Sequence, residues 1–391
     1  MKDPHPIRVW RHDRDLEAKI DALRRFYREG RKKFGEPVNG VQLYEMPISV
    51  DPALVPTFRD LQGLLYKQQT STQFLTYFQN YWDSHRQMFC FDPALTDSLS
   101  NTDVSDVPWD AIRLPHSEFH VSWGDFGQES FWIGDLEYVI DGAYIRRVPQ
   151  ESILFPNDTI LITFTSQLVF PSYKEAKEAR SAQGYHFSEP IYDFAMSGAG
   201  VETVGQAIGK GEEEYLRYCR SLDDQLLQSA HNWAPEVDVL PIGERIRPFQ
   251  GKFERGIEII RGSVPLLFNV IFYLTQRPGE RVIRYPDTAP KGQVKRLTSE
   301  SNTKVRKSIA DSLLRKGYSE VTFIRDPEVT SASIGGHTDR SIRSHWRRGH
   351  WRNQPYGENL TKRKWNWIMP VLVKKGDDFK VGTKHNVAPE S

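Results

Sequence analysis

The stretch Phe131-Trp-Ile-Gly-Asp-Leu-Glu-Tyr-Val-Ile-Asp-Gly-Ala-Tyr-Ile-Arg-Arg-Val148 decides the fold, together with Asp158-Thr-Ile-Leu-Ile-Thr-Phe-Thr-Ser-Gln-Leu-Val-Phe170. Both alternate apolar with polar residues and are rich in aromatic and β-branched types, the pattern of half-buried strands. Upstream, Pro108–Gly124 (PWDAIRLPHSEFHVSWG) reads the same way. Asp141-Gly142 is a tight-turn signal. The economical reading is an antiparallel sheet over about 112–170.

Outward from this sheet the period changes to 3.6. Residues 12–35 form an amphipathic helix, with Ile20, Leu23, Phe26 and Tyr27 at helical spacing and Gly35 as its stop. Two further helices are expected at about 51–68 and 70–86; the second carries Phe74, Leu75, Tyr77, Phe78, Tyr81 and Trp82 as a packing face. Residues 172–205 read as irregular. A long helix follows at 206–233, and the most apolar helix of the chain at 263–276, ended by Pro278-Gly279. A short strand (RVIRYP), a basic helix at about 301–316 and a strand at Tyr318–Ile324 come next. The last ten or so residues read as a disordered tail.

Composition bounds the answer. The chain has 391 residues, 38% hydrophobic and 26% charged, with 10 Trp, 16 Tyr and 21 Phe, enough to build a large core. The longest apolar run, Val264–Leu274, is too short for a bilayer, which needs about 20 residues. The charged N-terminus shows no secretory h-region, so a bacterial cytoplasm is the expected location and no membrane is expected as partner. Two cysteines, Cys90 and Cys219, exclude a disulfide framework and a Cys-based zinc site. The net charge of +1 hides an asymmetry: residues 281–391 carry about +12 and residues 1–280 about −11. A basic C-terminal stretch points to an anionic partner, nucleic acid first, or to a basic surface that covers the acidic body.

The chemistry-bearing segment is Gly335–Gly357, leading into Arg363–Val373. His337, His345 and His350 fall here, with Trp346, Trp351, Trp365 and Trp367 and with Arg340, Arg343, Arg347, Arg348 and Arg352 between them. Arg pairs with phosphate and stacks on bases. Trp and Tyr are stacking platforms worth roughly 1–3 kcal/mol per base. An imidazole takes a proton from a 2′-hydroxyl or returns one to a 5′-oxygen leaving group. A metal-independent ribonuclease needs two such groups and a cation at the phosphate. His345, His350, Arg348 and Tyr356 are the candidate catalytic set. Arg340, Arg343, Arg347, Arg352, Trp346 and Trp351 are the candidate RNA contacts. The competing readings are a zinc site from His337, His345 and His350 with Asp339, RNA binding without cleavage, and a structural hairpin locked onto the acidic body. Trp365, Trp367 and Ile368 before Pro370 fit a buried closing strand.

Other signals are weak. Ser197–Gly205 does not fit a dinucleotide loop, because its third Gly comes one residue late. His116 and His120, set on one face of the first strand, resemble a metal pair faintly. No cofactor and no metal are expected.

The segment resembles the type V anti-CRISPR proteins of phages and plasmids. The most specific match is His345-x-Arg347-Arg348-x-His350-Trp351, followed by Trp367-Ile-x-Pro370-x-x-Val373. Looser matches are Leu114-Pro with Val121, Ser197-Gly with Val201-x-x-Val204, and the apolar helix 264–276. Together they span about 105–373; the first hundred residues match only as helical sequence. The resemblance implies a mobile-element protein that recognises the nascent N-terminal peptide of the type V effector nuclease on the ribosome and causes loss of its messenger RNA. The basic module would meet the RNA. An acidic groove in the body would suit a Lys-rich peptide, and no residue lining it is named by the match.

The expected fold is α+β: a helical N-terminal region (1–105), a mixed body of antiparallel sheet and packing helices with the peptide groove (106–280), and a smaller basic α/β module (281–391). The rivals to the anti-CRISPR reading are a toxin-like metal-independent ribonuclease without peptide specificity, a non-catalytic RNA- or protein-binding regulator, and a structural phage or plasmid protein.

Overall fold

The computed structural model describes residues 3–12, 16–34, 78, 81–82, 86–124, 130–133, 136–148, 158–170, 191–217, 242–277, 279–327, 329 and 345–373. The fold is α+β. Its frame is an eight-stranded sheet in the order β7-β6-β5-β3-β1-β9-β8, with β4 paired to β5. The strands are β1 Met88–Phe91, β3 Glu118–Ser122, β4 Phe131–Ile133, β5 Leu136–Arg147, β6 Thr159–Phe170, β7 Ile191–Ser197, β8 Glu280–Arg284 and β9 Val321–Arg325. The expected antiparallel ladder exists as β3–β5–β6. It continues, however, into β7, within the stretch 172–205 expected to be irregular, and into parallel pairs of β1 with β3 and with β9. The sheet is therefore mixed. Met-Phe-Cys-Phe of β1 is buried throughout, as a strand covered on both faces must be.

Alternation along these strands feeds two cores. Phe89, Phe91, Phe119, Val121, Ala143, Ile145 and Ile324 face one. Met88, Cys90, Tyr144, Val321 and Phe323 face the other. The first is covered by α3 (Pro93–Ser100) and the long helix α5 (Ile242–Gln276), whose Val264, Leu267, Phe268, Val270, Ile271 and Phe272 are fully buried. The second is covered by α1 (His5–His12), α2 (Leu16–Phe34), the helical residues Phe78 and Tyr81, and α7 (Thr303–Arg315); α6 (Lys291–Ser299) packs beside α7. Between β7 and α5 a helix, α4, runs over residues 204–217. Strands from all three sequence stretches, 1–105, 106–280 and 281–391, thus share one sheet.

Asp141-Gly142 is not a turn. It lies inside the twelve-residue β5, at a register shift against β6, and is a β-bulge. A Cβ on Gly142 would stand 2.3 Å from the Val121 carbonyl, so only glycine fits. The bulge turns Asp141 inward, where it accepts hydrogen bonds from Arg8 Nη1 at 2.6 Å and Thr165 Oγ1 at 2.8 Å. This ion pair fastens α1 to the sheet. Helix α3, unforeseen, starts on an Asp92 carboxylate that accepts the Ala94 N–H at 3.0 Å, with Pro93 at its first position.

Several expectations lie outside the described residues: the helix at 51–68, most of that at 70–86, the part of 206–233 beyond residue 217 with Cys219, and the tail. Among the described residues no helix is long and apolar enough to cross a membrane.

Candidate nucleic-acid interface

The motif segment folds into a two-stranded ribbon. Its strands are β10 His345–Arg347 and β11 Gly349–Tyr356, running against β12 Lys362–Ile368 and β13 Val371–Val373. One register holds along the whole ribbon: Arg347 opposes Val371 and His350 opposes Ile368. It is interrupted at Arg348 and at Met369-Pro370, where proline has no N–H to give the ladder. There β2 (Thr102–Asp103) joins as a third strand, parallel to β11, with Gly349 opposite Thr102 and His350 opposite Asp103.

One face of this hairpin is core. Trp351 and Trp367 are 7% and 6% exposed and lie 6.3 Å apart, near-parallel. Trp351 meets Phe272 of α5 edge-on at 4.6 Å and donates from Nε1 to Asn269 Oδ1 at 2.8 Å. Trp367 donates to Thr102 Oγ1 at 3.0 Å. The buried Asn269 in turn donates to the Leu99 and Thr102 carbonyls, at 3.2 and 2.8 Å. One amide thus ties α3, β2, α5 and the hairpin together. Trp351, expected to stack on RNA, is corrected by this: its ring is used up in packing. The closing-strand reading of Trp365 and Trp367 holds, while Ile368 points out, 38% exposed.

The other face is solvent-facing and cationic. Arg348, His350, Arg352 and Tyr356 are exposed, as are Lys362 and Lys364 across the hairpin. His350 and Arg352 are next-but-one residues, about 7 Å apart along the strand. Tyr356 is about 20 Å from His350 on the same rule and stands off the same face, too far to share one phosphate. Tyr356 therefore leaves the catalytic set and remains an exposed ring beside Lys362. For His345, Trp346 and Arg347 the strand backbone alone is described. Arg340 and Arg343, like His337 and Asp339 of the zinc reading, lie outside the described residues.

The structure adds a residue the sequence reading missed, Asp103. It is exposed and set beside His350 by the β2–β11 pairing. Its carboxylate accepts the Ser105 N–H at 2.9 Å. That hydrogen bond, then the Ser105 hydroxyl and the charges of Arg348 and His350, hold it below the usual carboxylate range. A cation, an imidazole and an ionised carboxylate converge there. Such a group can bind phosphate and orient an imidazole toward a hydroxyl. Nothing in the sequence marks Asp103, since the contact closes a loop of about 250 residues.

Among the described residues no three His, Cys, Asp or Glu side chains are grouped to hold a metal ion. His116 lies 5.9 Å from Phe89 and His120 4.7 Å from Tyr144, so they sit against opposite cores and do not form the pair expected on one face. A cleft of about 880 Å³ opens elsewhere, lined from residues 86–88 and 283–322.

No curated protein matches the chain. A crystal structure of AcrVA2 is similar over 94% of this chain and 97% of that one, at 12% identity and a TM-score of 0.36, which adds nothing to the fold assignment. The AcrVA2-like model, described as the anti-CRISPR type V subtype A2 family, matches residues 89–375. That match runs from β1 through the hairpin, over more than two thirds of the sequence, and the chain belongs to the AcrVA2-like family of type V anti-CRISPR proteins.

Proposed function

We propose that this anti-CRISPR chain acts on effector synthesis in the cytoplasm of the bacterial host. It recognises the nascent N-terminal peptide of the type V effector nuclease and causes loss of the messenger RNA being translated. The observation that supports this best is the exposed cationic face of the hairpin, with Arg348, His350, Arg352, Lys362 and Lys364 beside Asp103. Alternate residues on a strand repeat at about 7 Å, a spacing comparable to the phosphate repeat of an extended RNA strand. Arg and Lys at that repeat neutralise phosphates. On this reading His350 takes the 2′-hydroxyl proton as the 2′-oxygen bonds to phosphorus, and the P–O5′ bond breaks to leave a 2′,3′-cyclic phosphate with the departing 5′-oxygen protonated by water. Asp103 orients the imidazole and Arg348 meets the charge that develops on the phosphate.

A second reading has the face hold RNA while a host nuclease cuts it. It is favoured by the fact that His350 is the one imidazole on this face among the residues whose side chains are described, where cleavage calls for two proton-transfer groups. The experiment that separates these follows reporter mRNA in a cell-free translation system. One reporter carries the effector's N-terminal peptide in frame, the other out of frame. Selective loss of the in-frame message is expected. Loss abolished by His350→Ala, with RNA binding kept, assigns the cutting to this chain. Loss unchanged by that variant assigns it to a host enzyme. Decay of both messages would mean a general ribonuclease, and decay of neither removes the proposal.

A further inference from the structure

The cleft between α6, α7 and the β8–β9 end of the large sheet shares no residue with the hairpin face. Its volume of about 880 Å³ lies within the range of small-ligand sites, roughly 300–1,000 Å³. Val294, Leu297 and Leu314 give it an apolar floor, and Tyr285 stands half-buried in the wall. Four cations line it, Arg86, Arg284, Arg306 and Lys307, against two carboxylates, Asp311 and Glu320.

These cations differ in how they are engaged. Arg284 is occupied: it pairs with Asp287 at 2.6 Å and covers the Phe323 ring at 4.2 Å. The side chains of Arg306 and Lys307 are exposed and have no hydrogen-bond or ion-pair partner among the described residues. Both project from the α7 stripe that lines the cleft, Thr303, Arg306, Lys307, Ala310 and Leu314, at helical spacing. The end of α7 itself is already capped, with Asn302 Oδ1 accepting the Lys304 and Val305 N–H groups and the Asn302 N–H donating to Glu300 Oε1 at 3.0 Å, so the exposed Arg306 and Lys307 are what α7 offers an anion. Arg86 is the third cation left to the cleft. Its backbone sits at φ +50°, which fixes where its side chain leaves the chain at the start of β1. It is held at the cleft wall with its guanidinium over Trp82 at 5.1 Å.

We infer that this cleft binds a nucleotide phosphate, presented either by a free nucleotide or by single-stranded RNA. Arg306, Lys307 and Arg86 meet the phosphate. The apolar floor and Tyr285 receive the base, and Asp311 and Glu320 are placed to accept from an exocyclic amino group. An acidic peptide, the other polyanion that a basic cleft would attract, brings no flat base for the apolar floor and Tyr285 to receive.

The test uses the full chain, with cytidine 5′-monophosphate and adenosine 5′-monophosphate followed by calorimetry and a labelled short oligoadenylate followed by anisotropy. The variant is Arg306→Gln with Lys307→Gln; both positions are exposed, and circular dichroism checks that the fold is kept. Lys291→Gln with Lys295→Gln, exposed on α6 outside the cleft lining, is the control pair. The cleft pair is expected to weaken binding at least ten-fold. It should also flatten the RNA salt slope by about 1.4, because two phosphates are no longer neutralised. The control pair leaves the cleft's contribution unchanged. Mononucleotide binding that needs the cleft pair identifies a free nucleotide as the ligand; binding of the oligomer alone identifies RNA. Repeating the assay with Arg348→Gln and Arg352→Gln keeps the hairpin reading separate, since that change removes the hairpin's share of RNA binding and leaves the cleft's share. Equal affinity in the cleft pair, an equal loss in the control pair, absence of binding by every probe, or equal competition by a polyglutamate peptide would each overturn the inference.

Discussion

Asn269 fastens the hairpin to the body. Its amide closes three hydrogen bonds, to Leu99, Thr102 and Trp351, in a fully buried position. A buried polar group left without its partner costs about 1–3 kcal/mol. Trp351→Phe keeps most of the packing against Phe272 but orphans the Asn269 oxygen. It is expected to lower unfolding free energy by about 1–3 kcal/mol in urea titration, while RNA affinity of the folded chain stays as in the wild type. A ten-fold loss of RNA affinity at unchanged stability would restore Trp351 as a stacking platform. A second residue-scale prediction concerns pH. His5 and His120 are fully buried, and burial first, then the Arg8 charge, hold both imidazoles well below the ordinary value of 6.5. The native state therefore binds fewer protons than the unfolded chain once pH falls below about 6.5. Stability is full above that value and declines as pH drops through it, by roughly 1.4 kcal/mol per pH unit for each imidazole until its folded-state pKa is reached. Both ring nitrogens of His120 lack a hydrogen-bond partner among the described residues. His120→Leu should then cost little at pH 7 and make the melting temperature fall less steeply between about pH 6.5 and 5. An unchanged pH profile would show that His120 is not the titrating group.

At the scale of elements, what was legible in the sequence was whatever rests on local periodicity. The strands at 118–122, 136–147 and 159–170 and the helices at 16–34 and 303–315 follow from alternation and from 3.6-residue spacing. The all-round apolar character of 264–276 follows from its place under both the sheet and the hairpin. Long-range partners were not legible. The four residues Met88–Phe91 are too short to announce a central strand, and their parallel pairing with β3 and β9 depends on segments far away in the chain. Asp103 became a site residue for the same reason. Asp141-Gly142 misled because a bulge and a turn use the same glycine chemistry. The bulge makes its own prediction. Gly142→Ala drives a methyl to 2.3 Å from the Val121 carbonyl, and backbone cannot step aside as a flexible side chain would. It should cost about 1–3 kcal/mol, the range for overpacking, and loosen α1, because Asp141 then moves off Arg8. Thermal melts and faster hydrogen exchange in α1 would register this; a melting temperature within a degree of wild type would mean that the bulge relaxes freely.

At the scale of the molecule, the contrast between an acidic body and a basic C-terminal stretch does not divide the fold. β8 and β9 come from the basic stretch, and β9 lies next to β1 in the interior of the sheet. Val321, Phe323 and Ile324 are buried from both faces of that strand. Tyr273 at the end of α5 donates to Asp326 at 2.8 Å, Arg277 pairs with the same carboxylate at 2.8 Å, and the hairpin tryptophans cap Phe272 and Tyr273. Removing everything after Gly279 would expose the edge of β1 and one side of α5. The exposed surface includes Phe91, Phe272 and Tyr273, and each buried aromatic is worth roughly 1.5–3 kcal/mol, against total stabilities of about 5–15 kcal/mol. A chain of residues 1–279 is therefore expected to be insoluble or to lack a cooperative melt. Residues 280–391 alone should likewise lack one, since their two sheet strands would have no central neighbour. Co-expressed, the two pieces should restore a soluble complex by completing the sheet. Independent two-state melting of either piece, followed by circular dichroism, would show instead that the basic stretch is a separable domain. The nucleic-acid binding proposed for the hairpin would then have to be tested on that domain alone, rather than on a surface built by the whole chain.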